Sequence, residues 1–271
     1  MNNASQIKQS FGPNAKKYAA SPAFASGESL SRLLEVVRPR PDWIALDVAT
    51  GGGHTALALS GRVKRVVAAD LTPQMLIAAR NMIAGRGVDT LSFCEADAQR
   101  LPFAPAAFDL VTCRIAPHHF PDVAQFVREC ARAVKPGGTV AIIDGIAVGG
   151  GFTVRYLNAF ETLRDPSHHW LYPARRWEAF FKEAGLHVTL VETFRKTHEF
   201  GDYCDRLNVS PADRLRLRAM LTQAPNGPKH AYDIFEKGGQ LWFHLHEVLI
   251  VGAIQQSLSS VRSLNRSSPA I

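Results

Sequence analysis

Trp43-Ile44-Ala45-Leu46-Asp47-Val48-Ala49-Thr50-Gly51-Gly52-Gly53-His54 is the stretch on which the reading of this chain turns. Its first half is a short apolar run of strand character. Its second half places three consecutive glycines before Thr55–Ser60, where apolar residues return at helical spacing. Glycine loses more conformational freedom on folding than any other residue, so a run of three is costly for a plain turn. It is well suited to a strand-to-helix turn whose backbone lies close to a bound ligand.

Outward from this turn the same alternation repeats. Apolar runs at 63–70, 91–95, 108–113 and 139–143 alternate with stretches of helical spacing at 55–60, 73–84 and 123–134. Strands of about five residues alternating with helices of about ten predict a parallel sheet covered on both faces. Two later runs, 187–194 and 243–254, flank a charged helical stretch at 202–237 and are expected to pair antiparallel at one sheet edge. Residues 5–37 read as two helices broken near Ser21-Pro22. The Ser/Arg-rich segment 257–271 reads as a flexible tail.

Composition bounds the function classes. The 271 residues are 46% hydrophobic and 20% charged, with a net charge of +7, an ordinary globular balance. The positive residues are scattered, and the Arg214/Arg216/Arg218 group reads as a solvated helix face rather than a nucleic-acid patch. Residues 1–6 are polar and lack the apolar core of a secretory signal, and no apolar stretch is long enough for a membrane span. Cys94, Cys113, Cys130 and Cys204 form no CxxC pair, so reduced thiols and a cytoplasmic location are expected.

Ligands of open α/β sheets bind outside the carboxyl ends of the strands. Asp70 ends the second run, 19 residues after Gly51, a distance suited to holding the ribose hydroxyls of an adenine nucleoside. Gly51-x-Gly53-x-x-Ala56 also satisfies the loose dinucleotide fingerprint and so keeps NAD in view. Two features weigh against it. Asp47 stands at a strand end where a dinucleotide needs no acid but an amino acid's ammonium could be met. None of the five tyrosines starts a Tyr-x-x-x-Lys.

Asp47–Gly53, Ala69-Asp70-Leu71-Thr72-Pro73-Gln74-Met75-Leu76, Glu95-Ala96-Asp97-Ala98, Phe108-Asp109-Leu110-Val111 and Lys135-Pro136-Gly137-Gly138 resemble, in order and spacing, the class I S-adenosylmethionine-dependent methyltransferases. They look most like the group containing the ubiquinone/menaquinone-biosynthesis C-methyltransferases. Phe11-Gly12-x-x-Ala15-x-x-Tyr18, Arg114–Phe120 and Asp165-Pro166-Ser167-His168 resemble a bacterial subgroup of methyltransferases. Ala49 replaces the first glycine of the usual glycine-x-glycine-x-glycine, an exchange that a negative φ at this position would allow.

The resemblance implies an α/β, Rossmann-like seven-stranded sheet, mostly parallel with an antiparallel last strand, helices on both faces and a helical cap. It implies a lid at 1–40, a methyltransferase domain at 41–256 with its core at 41–148, and cap insertions near 149–172 and 201–239. It implies S-adenosylmethionine as cofactor, with Thr50, Gly51 and Gly53 against the methionine part and Asp47 near its ammonium. Asp70 would take the ribose and Leu71 and Met75 flank the adenine. Asp97 and Ala98 would bond the base, Arg114 and Ile115 line the methionine side, and Tyr18 close over the whole.

The donor's methyl group is already activated, so a base is needed only when the acceptor carries a proton that must leave. His118 and His119, just after the fourth strand, are the candidates for that role. Phe11, Tyr156, His168, Trp170 and Tyr203 are expected to contact substrate, within a cap that also holds Phe24, Phe152, Tyr172 and Phe235. The expected acceptor is a carbon or oxygen of a small apolar or aromatic molecule. No His/Asp/Glu triplet suggests a metal. Arg114-Ile115-Ala116-Pro117 stands where enzymes that methylate base amino groups resemble one another in an Asn/Asp-Pro-Pro-aromatic tetrapeptide, which disfavours nucleic acid. A homodimer is compatible. Two other readings stay open: decarboxylation, cyclisation or hydrolysis on the same fold and cofactor, and a non-catalytic RNA-associated protein.

Overall fold

The structure, a computed structural model, describes residues 3–21, 25 and 27–255; Pro22, Phe24 and the 257–271 segment lie outside them. Among the described residues the chain leads in with α1 (Asn3–Phe11), α2 (Ala15–Ala20) and α3 (Glu28–Val37). The alternating core follows as β1 (Ile44–Val48), α4 (His54–Ser60), β2 (Arg65–Asp70), α5 (Pro73–Ile83), β3 (Leu91–Glu95), β4 (Phe108–Arg114), α6 (Val123–Ala133) and β5 (Val134–Ile146). The C-terminal half contains α7 (Gly151–Arg164), α8 (Ala174–Glu183), β6 (Leu186–Glu199), α9 (Phe200–Asp205), α10 (Pro211–Thr222), α11 (Asn226–Tyr232), β7 (Phe235–Lys237) and β8 (Gln240–Ile254).

The sheet runs β3-β2-β1-β4-β5-β8-β6, with β7 beside β8. β1 to β5 are parallel, and β8 lies antiparallel between β5 and β6. The eighth strand beyond the expected seven is β7, which joins β8 through Gly238-Gly239, both at positive φ (59° and 73°). A two-residue loop with both φ positive matches the twist of a hairpin, and the Gly-Gly pair is its readable signal. The leading segment breaks once more than expected, at Gly12-Pro13-Asn14, where Gly12 has no room for a side chain: a Cβ there would lie 2.7 Å from the Lys8 carbonyl oxygen.

Strand residues alternate between two cores. Leu46, Val48, Val111, Cys113, Val140 and Ile142 pack under α6 and α8. Ala45, Val66, Ala68, Leu110, Ala141 and Ile143 pack under α3 and α4. Burying both faces is why these strands read as continuous apolar runs. Helix α6 shows the logic at element scale. Val123, Phe126, Val127, Cys130 and Ala133 recur on one buried face, and the Asp122 carboxylate caps the helix by accepting from the Gln125 amide at 2.8 Å.

The Asp109 and Lys135 motifs serve each other. Lys135 Nζ reaches both Asp109 oxygens at 2.8 and 2.9 Å, and the Ile44 amide donates to the same carboxylate. Together they tie the starts of β1, β4 and β5 at the end of the sheet opposite the glycine turn. A third cluster, built from α7, α9, α10, α11 and the first part of β8, forms a separate cap core around Phe160 and Phe243.

Candidate functional site

Strand order reverses beside β1, where β2 lies on one side and β4 on the other, and the carboxyl ends there open into a cavity of about 350 Å3. That volume lies within the usual range for ligand sites. Its floor is the turn after β1. The Thr50 amide donates to the Ala69 carbonyl at 2.9 Å, and the Gly51 amide donates to Asp70 Oδ2 at 2.8 Å. Asp70 Oδ1 accepts from the Thr72 amide at 2.8 Å, so one carboxylate shapes both the β1 and β2 turns. The leucine and methionine that follow, Leu71 and Met75, form an apolar wall.

Two non-glycine residues of the cavity carry left-handed backbone. Ala49 has φ +51° and Ile115 φ +54°, both at strand ends and both lining the cavity. The negative φ expected for Ala49 is therefore corrected: it adopts the left-handed conformation that a glycine would take at lower cost. The three glycines divide their work. Gly51 (φ +54°) makes the turn. Gly52 admits helix α2, since a Cβ there would lie 2.7 Å from Ala19 Cα. Gly53 (φ +84°) precedes α4 and packs on Ala79, so it stands behind the cavity wall rather than in it.

Electrostatics set the character of the floor. Asp47 is fully buried, with Oδ2 accepting from Thr50 Oγ1 at 2.7 Å and Oδ1 from Thr112 Oγ1 at 2.8 Å. Burial pushes its carboxyl up to about 6, against the pull of the two hydroxyls and of Arg114. Burial also raises Asp70, while the Thr72 and Gly51 amides oppose the rise. Arg114 reaches Thr55 Oγ1 through Nε at 3.0 Å. Asp97 Oδ1 accepts from the Gln99 amide at 2.9 Å in a local turn.

Tyr18, Asp47, Thr50, Gly51, Asp70, Leu71, Met75, Asp97, Ala98, Arg114 and Ile115 line the cavity together, with Phe11 and His119. Ala4, Ile7, His54, Thr55, Gln99, Phe120 and Pro121 also line it, though none is among the expected site residues. Ala4, Ile7 and Phe11 lie at helical spacing on α1, a readable stripe. His54 directly follows the glycines, and its Nε2 donates to the Tyr18 carbonyl at 3.1 Å, holding α2 over the turn.

The cap residues are placed elsewhere. Tyr156, Trp170 and Tyr203 belong to the cap core, where Tyr156 Oη donates to the Met220 carbonyl at 2.7 Å and Tyr203 Oη to Glu161 at 2.7 Å. His168 is buried and bonds Asn158 Oδ1 through Nε2 at 2.9 Å. None of these four lines the cavity, because the cap needed their bulk for a core of its own.

The paired histidines diverge. His118 does not line the cavity. Its Nδ1 lies 2.7 Å from Asp144 Oδ1, and although burial alone would lower it, the Asp144 carboxylate raises it above the usual imidazole value. His119 does line the cavity, against the edge of Phe11. Its Nδ1 faces the Ser167 carbonyl at 3.1 Å, and a carbonyl only accepts, so the proton sits on Nδ1 and Nε2 carries the lone pair. Burial, then the neighbouring His118, drive His119 down to about 3, which keeps it neutral.

Among the described residues no group of three or more His, Cys, Asp or Glu could hold a metal ion. No described helix is long and apolar enough to cross a membrane.

Residues 46–142 match the model of a methyltransferase domain. The chain is 32% identical over 247 residues to the uncharacterized methyltransferase YcgJ of Bacillus subtilis, covering 89% of this chain and 96% of that protein. It is 29% identical over 185 residues to the ubiquinone/menaquinone biosynthesis C-methyltransferase UbiE of Brucella anthropi, covering 66% of each. A crystal structure of a methyltransferase from Bacillus halodurans superposes with a TM-score of 0.81 at 35% identity, over 85% of this chain and all of that one. With the sheet order, the glycine turn and the acids at successive strand ends, these likenesses show that the chain belongs to the class I S-adenosylmethionine-dependent methyltransferases.

Proposed function

We propose that this enzyme methylates a carbon or oxygen of a small molecule, and that the cavity over Asp47, Asp70 and Asp97 holds the cofactor while His119 meets the acceptor. The observation that carries the reading is the convergence of these four side chains, from the carboxyl ends of four successive strands or just beyond them, on one cavity at the switch in strand order. The donor set fits S-adenosylmethionine. Asp47 suits an ammonium, Asp70 a pair of ribose hydroxyls, Leu71 and Met75 a flat base, and Asp97 an exocyclic amine.

When bound, S-adenosylmethionine supplies a sulfonium-activated methyl group. The protein's task is then to align the acceptor and exclude water. Phe11 and Tyr18, from α1 and α2, wall the cavity on the side away from the sheet, the position of a lid. A histidine held near 3 is a poor base at neutral pH, so His119 serves by accepting a hydrogen bond from an acceptor hydroxyl through Nε2. That orients the acceptor without requiring full proton removal. With the cap aromatics committed to their own core, an apolar acceptor is supported by Ile7, Phe11 and Phe120 instead. The UbiE relative, named as a C-methyltransferase of quinone biosynthesis, favours an aromatic ring carbon.

The test is calorimetric titration of the purified chain with S-adenosylmethionine, S-adenosylhomocysteine and NAD, alongside Asp70→Ala. Micromolar binding of the first two, absent for NAD and weakened by at least about tenfold in the variant, is the expected result, given the worth of charge-assisted hydrogen bonds. Absence of binding by either sulfur ligand sinks the proposal. Product analysis separates methyl transfer from decarboxylation or cyclisation, which accumulate no S-adenosylhomocysteine.

A further inference from the structure

Beyond Tyr18 lies a second cavity, of about 520 Å3, and Tyr18 is a wall of both. It is bounded by Lys17 of α2 and Ser21 just after it, by the end of β6, by α9 and by Trp242. Its charges are unevenly committed. Of the three acids that line it, Glu199 caps α9, accepting from the Gly201 and Asp202 amides at 2.8 and 2.6 Å. Asp205 is ion-paired with Arg214. Asp202 is exposed and forms no ion pair within 4.0 Å among the described residues.

The two cations that line it, Lys17 and Arg206, both lack a carboxylate within 4.0 Å among the described residues. Lys17 Nζ donates to the neutral Asn208 Oδ1 at 2.8 Å, and Arg206 Nη2 to His198 Nδ1 at 3.0 Å. Arg206 Nε is buried with no partner, an expensive state for a charged donor. A second guanidinium shares its platform. Arg164 lies 3.7 Å and Arg206 4.9 Å from the centre of the Tyr203 ring. Glu161 answers Arg164, at 3.7 Å, but among the described residues no carboxylate lies within 4.0 Å of Arg206. Burial, then repulsion from Arg164, pull Arg206 below the usual guanidinium value. An anion in the cavity would offset both costs, and the planar guanidinium suits an oxyanion.

We infer that this second cavity binds a carboxylate or phosphate group through Arg206 and Lys17, and that the methyl acceptor is an anionic small molecule whose charged end sits here. The acceptor's reacting end then passes Tyr18 into the cofactor cavity. This assignment rests on the methyl-transfer reading, and it replaces a purely apolar acceptor with one that is charged at one end.

The test titrates the full chain, saturated with S-adenosylhomocysteine, with benzoate, inorganic phosphate and the neutral benzamide. Wild type is compared with Arg206→Gln and Lys17→Gln. Saturable millimolar binding of one anion is expected, with benzamide weaker by at least about tenfold and Arg206→Gln weakening the anion by a similar factor. Benzoate alone identifies a carboxylate and phosphate alone a phosphoryl group. S-adenosylhomocysteine affinity should stay within about twofold in both variants. If Arg206→Gln loses the nucleoside ligand too, Lys17→Gln, on an exposed position, decides: unchanged anion binding there overturns the proposal. Anion binding that is absent in wild type, or equal to that of benzamide, also overturns it. Failure of S-adenosylhomocysteine to bind wild type would strike the methyltransferase reading separately.

Discussion

The Asp47 carboxyl, enclosed by Thr50 and Thr112 and pushed by burial up to about 6, couples the cofactor cavity to pH. Its pKa is raised on folding, so its contribution to stability is complete below the unfolded value near 4 and is lost as pH rises through about 6. An ammonium placed beside it favours the ionised form and reverses that loss. Affinity for S-adenosylhomocysteine is therefore expected to strengthen as pH rises from about 5 to 7, by up to about tenfold per unit of pKa displaced. Titrations of wild type and Asp47→Asn at several pH values check this, and equal slopes in the two proteins would show that the ammonium lies elsewhere. Ala49 offers a second test at this scale. Its left-handed backbone, φ +51°, costs about 1–2 kcal/mol, and the extra unfolded-state freedom of a glycine costs about 0.5–1 kcal/mol. Ala49→Gly is accordingly expected to stabilise the fold by about 0.5–1 kcal/mol, read as a higher urea midpoint. A lower midpoint would mean that the methyl group's packing outweighs the strain.

Helix α2 depends on Gly52, whose missing side chain lets Ala19 approach the turn after β1. In Gly52→Ala the new Cβ would meet Ala19 Cα at 2.7 Å, so α2 must lift and carry Tyr18 with it. Faster hydrogen exchange across 15–20, with 44–70 unchanged, is the expected outcome, together with weaker S-adenosylhomocysteine binding. Unchanged protection of α2 would refute the close approach. Elements differ in how openly the sequence declares them for the same kind of reason. β1, β2 and β4 are covered on both faces and stand out as apolar runs. β6 is an edge strand whose exposed residues alternate and are mostly threonine, so the apolar run that predicts it ends at Phe194 while the strand continues to Glu199. The acids of the cavity are legible because each stands at or just beyond the carboxyl end of a strand. Arg164 and Arg206 are not, since only the packing of α7 against α9 around Tyr203 brings them together. The placement of Tyr156, Trp170 and Tyr203 was equally hidden, because an aromatic serving a second core has the same local pattern as one facing a substrate.

At the scale of the whole molecule, cap and sheet share one pair of long strands. β8 contributes Leu241 and Phe243 to the cap core, then Val248, Leu249, Ile250 and Val251 to the two cores that flank the sheet. β6 accompanies it from Glu199↔Trp242 to Leu186↔Ile254, so no flexible joint separates cap from sheet. The cap and the cofactor cavity are thereby expected to unfold as one unit rather than as independent domains. Phe160 is the residue to probe this, fully buried on α7 with rings of Tyr203, Tyr232 and Phe243 centred 6.4, 5.2 and 5.8 Å away. Phe160→Ala should cost about 3–5 kcal/mol. In a single cooperative molecule that loss moves one urea transition, seen alike by circular dichroism and by the fluorescence of the four tryptophans, to lower denaturant. If the cap were only docked on the sheet, the variant would show two transitions, and S-adenosylhomocysteine would raise the midpoint of the second alone. With one transition, the same ligand raises the common midpoint, and stability gained at the cofactor cavity reaches the second cavity through β6 and β8.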